Sequence, residues 1–231
     1  MKLAAHQPQY LPWLGYFDKI DRVDQFVLLD TVQYKKNEWQ NRNRIRTAQG
    51  WQWLTVPVHH RHPMRISEVR LDDTSPWRRK HKEALRQTYG RAPHAAAVMG
   101  PICDLIDLPT DSLAQLNAAS VRCLAALLGL RTPIVLASSL EGIPEGPDAR
   151  LIELCRRLHC STYLAGAGGQ AYMDPAAWQK AGIQVEFQEF SHPVYDQGQP
   201  GFEPRMSAVD LLMRCGGEAA SVLRGAPAVA A

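Results

Sequence analysis

Phe26, Val27, Leu28 and Leu29 form an unbroken apolar run of strand length in "QFVLLD", closed by Asp30. A strand that is apolar at every residue is buried on both faces, as strands inside a parallel sheet are. Upstream, "KLAA" reads as a short first strand, and "GYFDKIDRV" between the two has helical spacing through Phe17, Ile20 and Val23. Two parallel strands need such a crossover. Past the midpoint the alternation resumes: "PIVLASS", "STYLAG" and "IQVEFQEF" read as strands, with helices in "PDARLIELCRRLH" and "DPAAWQKAG" between them. The expected fold is α/β, a three-layer arrangement with a mostly parallel sheet and helices on both faces.

Other segments decorate this plan. "WQWLTVPV" and "ISEVRLD" read as further strands, and "SPWRRKHKEALRQTYG" as a helix with Ser75 as N-cap, Pro76 in the first helical position and Gly90 at its end. Two more helices are expected at about 94–107 and 111–129, so a helical segment of about 76–129 interrupts the strand regions. "SAVDLLMRCG" reads as a final helix. One folded unit over 1–215 and a flexible tail over 216–231 are the expectation, the Ala-rich "GAPAVAA" being poor in core-forming residues.

No apolar run in the 231 residues approaches the roughly 20 needed to span a bilayer. The start, "MKLAAHQPQYLP", is too short in apolar residues for a signal-peptide core, so a cytoplasmic protein is expected. Cys103, Cys123, Cys155, Cys160 and Cys215 are odd in number and include no Cys-x-x-Cys pair, which suggests buried thiols and no metal site. The formal charge is only +3, but "KKNEWQNRNRIR" sets Lys35, Lys36, Arg42, Arg44 and Arg46 against one Glu38. Such a local field suits an anionic ligand; the alternative is a solvated basic face.

Four stretches could carry chemistry. In "HQPQYLPWLGYF", His6 and Gln7 end a strand, and Pro8 and Pro12 stiffen the loop that would hold them and Tyr10 toward a ligand. Residues 30–46 bring Asp30, Gln33, Lys35, Lys36, Asn41, Arg42 and Asn43 together, with donors suited to a phosphorylated small molecule. Trp39 among the basic residues would allow base stacking, yet no RNA-binding signature is present, so the nucleic-acid signal is weak. In "YLAGAGGQAYMD", Gly166 and Gly168 follow a strand, as a ligand loop or as a tight turn without the spacing of a known phosphate cradle. "FSHPVYDQGQPGF" adds His192, Tyr195 and Gln197. Ligands of open α/β sheets bind beyond the carboxyl ends of the strands, so the two N-terminal loops should meet there, and Gln7, Asn41, Arg42 and His192 should converge on one pocket.

Taken together, "QPQYLPWLGYF", "DQFVLLDTVQYKKNEWQNRNRI", "WLTVPV", "YLAGAGGQAYMD" and "HPVYDQ" resemble the pattern of the WbqC-like family of bacterial proteins, with Ala165 where that pattern usually has serine. Members occur in gene clusters for surface polysaccharide (O-antigen), and one has been proposed to transfer glycine to the amino group of an amino sugar. The resemblance therefore implies an aminoacyl or acyl transferase acting on a nucleotide-linked amino sugar. In it Lys35, Lys36 and Arg42 would bind phosphates, Gln7, Gln33, Asn41 and Asn43 would orient the substrates, and His6 or His192 would act as base. The acyl donor must arrive activated, as a preformed donor or through ATP. A second resemblance, to adenylate-forming nucleotidyltransferase-like folds such as pantothenate synthetase, rests on the first strand ending in a His-containing loop, although the paired histidines of that signature are absent. It implies an ATP-dependent ligase or nucleotidyltransferase; a noncatalytic RNA- or sugar-binding module is the third reading.

Overall fold

The first strand, β1 (Lys2–His6), stops where Pro8 can no longer donate to a ladder and restricts Gln7 to extended backbone. Helix α1 (Leu14–Asp21) then returns the chain to β2 (Gln25–Leu28). The structure is a computed structural model that describes residues 1–226. It continues through β3 (Arg42–Thr47), β4 (Gly50–Thr55), β5 (Val58–His59) and β6 (Arg70–Leu71) to three helices, α2 (Trp77–Tyr89), α3 (Ala95–Ile106) and α4 (Leu113–Leu127). After them come β7 (Ile134–Leu136), α5 (Pro147–Arg157), β8 (Thr162–Ala165), α6 (Pro175–Ala181), β9 (Gln184–Phe187), α7 (Ala208–Cys215) and α8 (Ala219–Leu223).

Five of the strands form one sheet in the order β7-β2-β1-β8-β9, and every neighbouring pair is parallel. Alternate residues serve opposite layers. Ala4, Phe26 and Leu28 pack with Leu14, Phe17 and Ile20 of α1, whereas Leu3, Ala5 and Val27 pack with Leu151, Leu154 and Cys155 of α5 and Trp178 of α6. That explains the unbroken apolar run, because a strand between two helical layers has no face for water. The chain builds outward from β1 through β2 to β7, then crosses back over α5 to add β8 and β9 on the other side. The direction of winding therefore reverses between β1 and β8, and at such a point the connections diverge and leave a crevice beyond the carboxyl ends of the strands.

Several local expectations are corrected. "ISEVRLD" is a 3-10 turn (Ile66–Glu68) followed by the two-residue β6, because Ile66 and Val69 are buried at a helical interval that a strand would split between two faces. Strand β3 lies in the stretch read as loop; it pairs antiparallel with β4, Asn43 opposite Leu54 and Arg44 opposite Trp53. Its inward face carries the buried Asn43 beside Ile45, so it lacks the apolar alternation that marks a strand. Helix α2 starts at Trp77, with Pro76 outside it at ψ 49° and the Ser75 carbonyl accepting from the Trp77 N–H. The tail does not begin at residue 216, since α8 seats Ala219, Val222 and Leu223 in the core; residues 227–231 of the expected tail lie outside the described residues.

One contact sets the entry to α1. The Trp13 indole lies across Gly15, where a β-carbon would fall 2.3 Å from Trp13 Cη2. Gly15→Ala is expected to cost about 1 to 3 kcal/mol, the usual range for overpacking, measured by urea unfolding. In a Trp13→Ala background the same substitution should cost far less, and equal costs in both backgrounds would show that the indole is not the obstacle.

Candidate active site

The reversal between β1 and β8 holds a cavity of about 280 Å³, lined by Ala5, His6 and Gln7 from the end of β1, Lys19 from α1, and Ala165 and Gly166 from the end of β8. Leu151, Tyr163, Tyr172 and Met173 supply an apolar wall. His6 is the last residue of β1, and its Nδ1 stands 3.1 Å from the Gln7 carbonyl oxygen. A carbonyl only accepts, so Nδ1 carries the hydrogen and Nε2 keeps its lone pair. Burial, then the nearby Lys19 charge, lowers the His6 pKa to about 4, against a smaller raising effect of the bond to Gln7. The imidazole is neutral at physiological pH.

Lys19 was not among the residues singled out from the sequence. It is 3% exposed, its Nζ lies 3.3 Å from the Ala5 carbonyl, and no carboxylate reaches it among the described residues. Burial lowers its pKa to about 8. Its neighbour Asp18 turns away, accepting from Arg22 Nε at 2.8 Å and from Gln188 Nε2 at 2.7 Å. A signal was available: Asp18 and Lys19 interrupt a short helix whose Leu14, Tyr16, Phe17 and Ile20 are apolar on more than one side, which leaves no solvated face for a charge.

The two N-terminal loops do meet. Gln7 Oε1 accepts from Gln40 Nε2 at 2.9 Å, and Gln40 Oε1 accepts from the Lys35 backbone N–H at 2.9 Å. The Gln7 carbonyl also accepts from the Tyr16 hydroxyl at 3.1 Å. Gln7 is thus held from both sides, and the Lys35 backbone is one residue's reach from the crevice. The side chains of Lys35, Lys36 and Gln33 are exposed, Gln33 bonding His62.

Other expected site residues make their hydrogen bonds elsewhere, with Asn41 Oδ1 and Arg42 Nε buried and without a partner among the described residues. Asp30, 2% exposed, accepts from the Ser138 N–H at 2.9 Å and ties the exit of β2 to that of β7. Asn41 donates to the Val56 carbonyl at 2.9 Å and Asn43 to that of Leu11 at 2.8 Å. Tyr10 is fully buried, its hydroxyl 3.0 Å from His81 Nδ1. The Arg42 guanidinium donates to the Asn37 carbonyl and lies 4.3 Å over the Trp53 ring, within a cluster completed by Trp39, Trp51 and Arg44. Gly166 lines the crevice, whereas Gly168 is exposed in the following 3-10 turn; the crowded glycine there is Gly169, whose β-carbon would meet Met173 Sδ at 3.0 Å. Tyr195 and Gln197 both donate to Asp210.

His192 does not join Gln7, and the expected convergence of Gln7, Asn41, Arg42 and His192 is corrected. His192 lines a separate cavity of about 420 Å³ with Trp13, Arg44, Phe190, Glu203, Pro204 and Arg205, and no residue lines both cavities. Its Nδ1 bonds the Pro193 carbonyl at 2.8 Å and its Nε2 accepts from the Arg205 N–H at 3.2 Å, so neither nitrogen is free for a substrate. The ring stacks on Trp13 at 20°. The cause is the exit of β9: at this sheet edge Gln188 donates to the Gly15 carbonyl and to Asp18, which draws the following chain along α1 and over Trp13.

Among the described residues no group of three or more His, Cys, Asp or Glu could hold a metal ion, and no helix is long and apolar enough to cross a membrane. All five cysteines are free thiols. The uncharacterized protein Rv1507c of Mycobacterium tuberculosis (strain ATCC 25618 / H37Rv) is 35% identical to this chain over 227 residues, covering 96% of this chain and 97% of its own length. No solved structure matches. The sequence profile of the WbqC-like protein family matches residues 7–222, a span from the crevice loop to the last helix, and the chain belongs to that family.

Proposed function

We propose that the protein is a transferase that joins an acyl or aminoacyl group to the amino group of a nucleotide-linked amino sugar for surface polysaccharide, with the β1/β8 crevice as its centre. The observation that carries this reading is the neutral His6, its Nε2 without a hydrogen-bond partner among the described residues, in one cavity with the Lys19 ammonium. Attack of the amine on the activated carbonyl gives a tetrahedral adduct whose nitrogen-bound proton is far more acidic than that of the free ammonium; His6 Nε2 accepts that proton, and the adduct collapses to the amide as the bond to the donor's activating group breaks and that group leaves with the electron pair. An anionic substrate would cancel part of the Lys19 field that weakens His6 as a base. Gln7, held by Gln40 and Tyr16, orients the substrate, and the exposed Lys35 and Lys36, whose loop joins Gln7 through Gln40, add positive field on that side. A nucleotide-linked sugar as substrate fits action in the cytoplasm, where such donors are made.

The order of the sheet supports a second reading. Counted by appearance, its strands run third, second, first, fourth, fifth, the order of doubly wound nucleotide-binding sheets, which favours ATP-dependent activation of the carboxylate in the same crevice. The two separate in one assay: nucleotide-linked amino sugars with activated acyl donors, or with free carboxylic and amino acids plus ATP, followed by mass spectrometry for the amide. Product from activated donors supports the first reading, and product only with ATP and release of AMP supports the second. His6→Gln should lower turnover at least about 100-fold, as loss of a general base does. No amide across the panel, or full activity in His6→Gln, sinks the proposal.

A further inference from the structure

We infer that Lys19 is the seat of a phosphate group of the bound substrate, so that the crevice takes a phosphoanhydride-bearing small molecule end-on. The inference rests on the transferase reading for its site and is independent of the reaction. An ammonium that is 3% exposed and without a carboxylate partner among the described residues is an incomplete arrangement, because buried charges are normally paired. The single bond to the Ala5 carbonyl, at 3.3 Å, leaves hydrogens of the ammonium uncommitted.

Placement gives the direction of the missing partner. Lys19 Nζ lies at the seam of β1 and β8, 3.9 Å from the position a β-carbon would take on Gly166. A side chain there would roof the ammonium; glycine leaves it open to the cavity. Gly166 has φ −69°, a conformation any residue adopts, so backbone geometry does not require glycine. The groups facing Lys19 across the cavity are the neutral His6 and the Tyr163 and Tyr172 side chains, and none of them supplies an anion. At about 280 Å³ the space suits a phosphate and part of its attached group, with the remainder outside the crevice. Lysine binds phosphate as a point charge and needs no planar fork, which matches a solitary ammonium at the end of a strand.

The test follows Lys19 itself. In protein labelled with carbon-13 at the lysine ε position, NMR titration gives its ionisation midpoint alone and with saturating pyrophosphate, ADP or UDP, and with acetate. A phosphate ligand is expected to raise the midpoint by a unit or more, and Lys19→Met to weaken its binding at least 10-fold by calorimetry. A midpoint unmoved by all three phosphates, equal affinity in Lys19→Met, or a response to acetate alone would overturn the assignment. The wild-type titration decides the matter even if the variant fails to fold. A shifted midpoint with no amide product would sink the transferase reading and leave this inference standing; turnover with an unmoved midpoint would do the reverse.

Discussion

Asp210→Ala is expected to lower the unfolding free energy by about 3 to 5 kcal/mol, since it strands several buried donors that each cost about 1 to 3. Asp210 is fully buried and accepts from the Tyr89 hydroxyl at 2.7 Å, the Tyr195 hydroxyl at 2.8 Å and Gln197 Nε2 at 3.0 Å. Tyr89 also accepts from the Arg46 N–H at 3.1 Å, so the carboxylate ties α2, β3, α7 and the segment after β9 at one point. Burial raises its pKa, with the three donors opposing. A carboxyl whose folded pKa exceeds its unfolded one contributes stability that is full below the unfolded value and is lost as pH rises through the folded value. The alanine variant should lack that dependence. Urea melts at several pH values check both, and a loss under about 1 kcal/mol would show that the three donors find other partners.

Lys19→Met should act in the opposite direction and make the protein more stable by roughly 3 kcal/mol at pH 7, from about 1.36 kcal/mol for each pKa unit between the ordinary 10.5 and the folded value of about 8. A lysine with a depressed folded pKa costs stability in full below about 8, and that cost fades as pH rises toward 10.5. The gap between variant and wild type should therefore close in alkaline buffer. Methionine keeps the unbranched stem, so packing is nearly preserved. A variant less stable than wild type at pH 7 would mean that the ammonium is paired in solution. Stability gained by removing a residue is the pattern expected where a side chain is kept for a ligand.

The layers and the direction of the sheet were legible because strands buried on both sides must be apolar throughout, and Phe26 to Leu28 obey that rule without exception. Strand β3 was hidden because Asn43 serves the loop carbonyls of Tyr10 and Leu11 at 3.3 and 2.8 Å in place of an apolar contact. In the site, His6, Gln7 and Gly166 were legible from their places at strand ends. Lys19 is marked more faintly, since a lysine in a helical stretch ordinarily reads as solvated and its one sign is the apolar surround of Leu14, Tyr16, Phe17 and Ile20. The reach of His192 was misjudged for a related reason: the strand order places β9 at an edge, and no local pattern in "FSHPVYDQ" records which way an edge strand's exit will turn.

Strand β1 precedes the other strands of the sheet in sequence yet lies in its middle, paired on one side with the strand that follows almost at once and on the other with β8, Leu3 beside Tyr163. During synthesis on a ribosome, His6, Gln7 and Lys19 emerge well before β8 and can take their places beside β2 early, but the open edge of β1 stays exposed until residues 162–165 arrive. The opposite wall comes later, with Tyr163 and Gly166 and then Tyr172 and Met173. A nascent or truncated chain thus carries His6, Gln7 and Lys19 and no crevice, and binding begins only when the second half of the sheet has closed over the first.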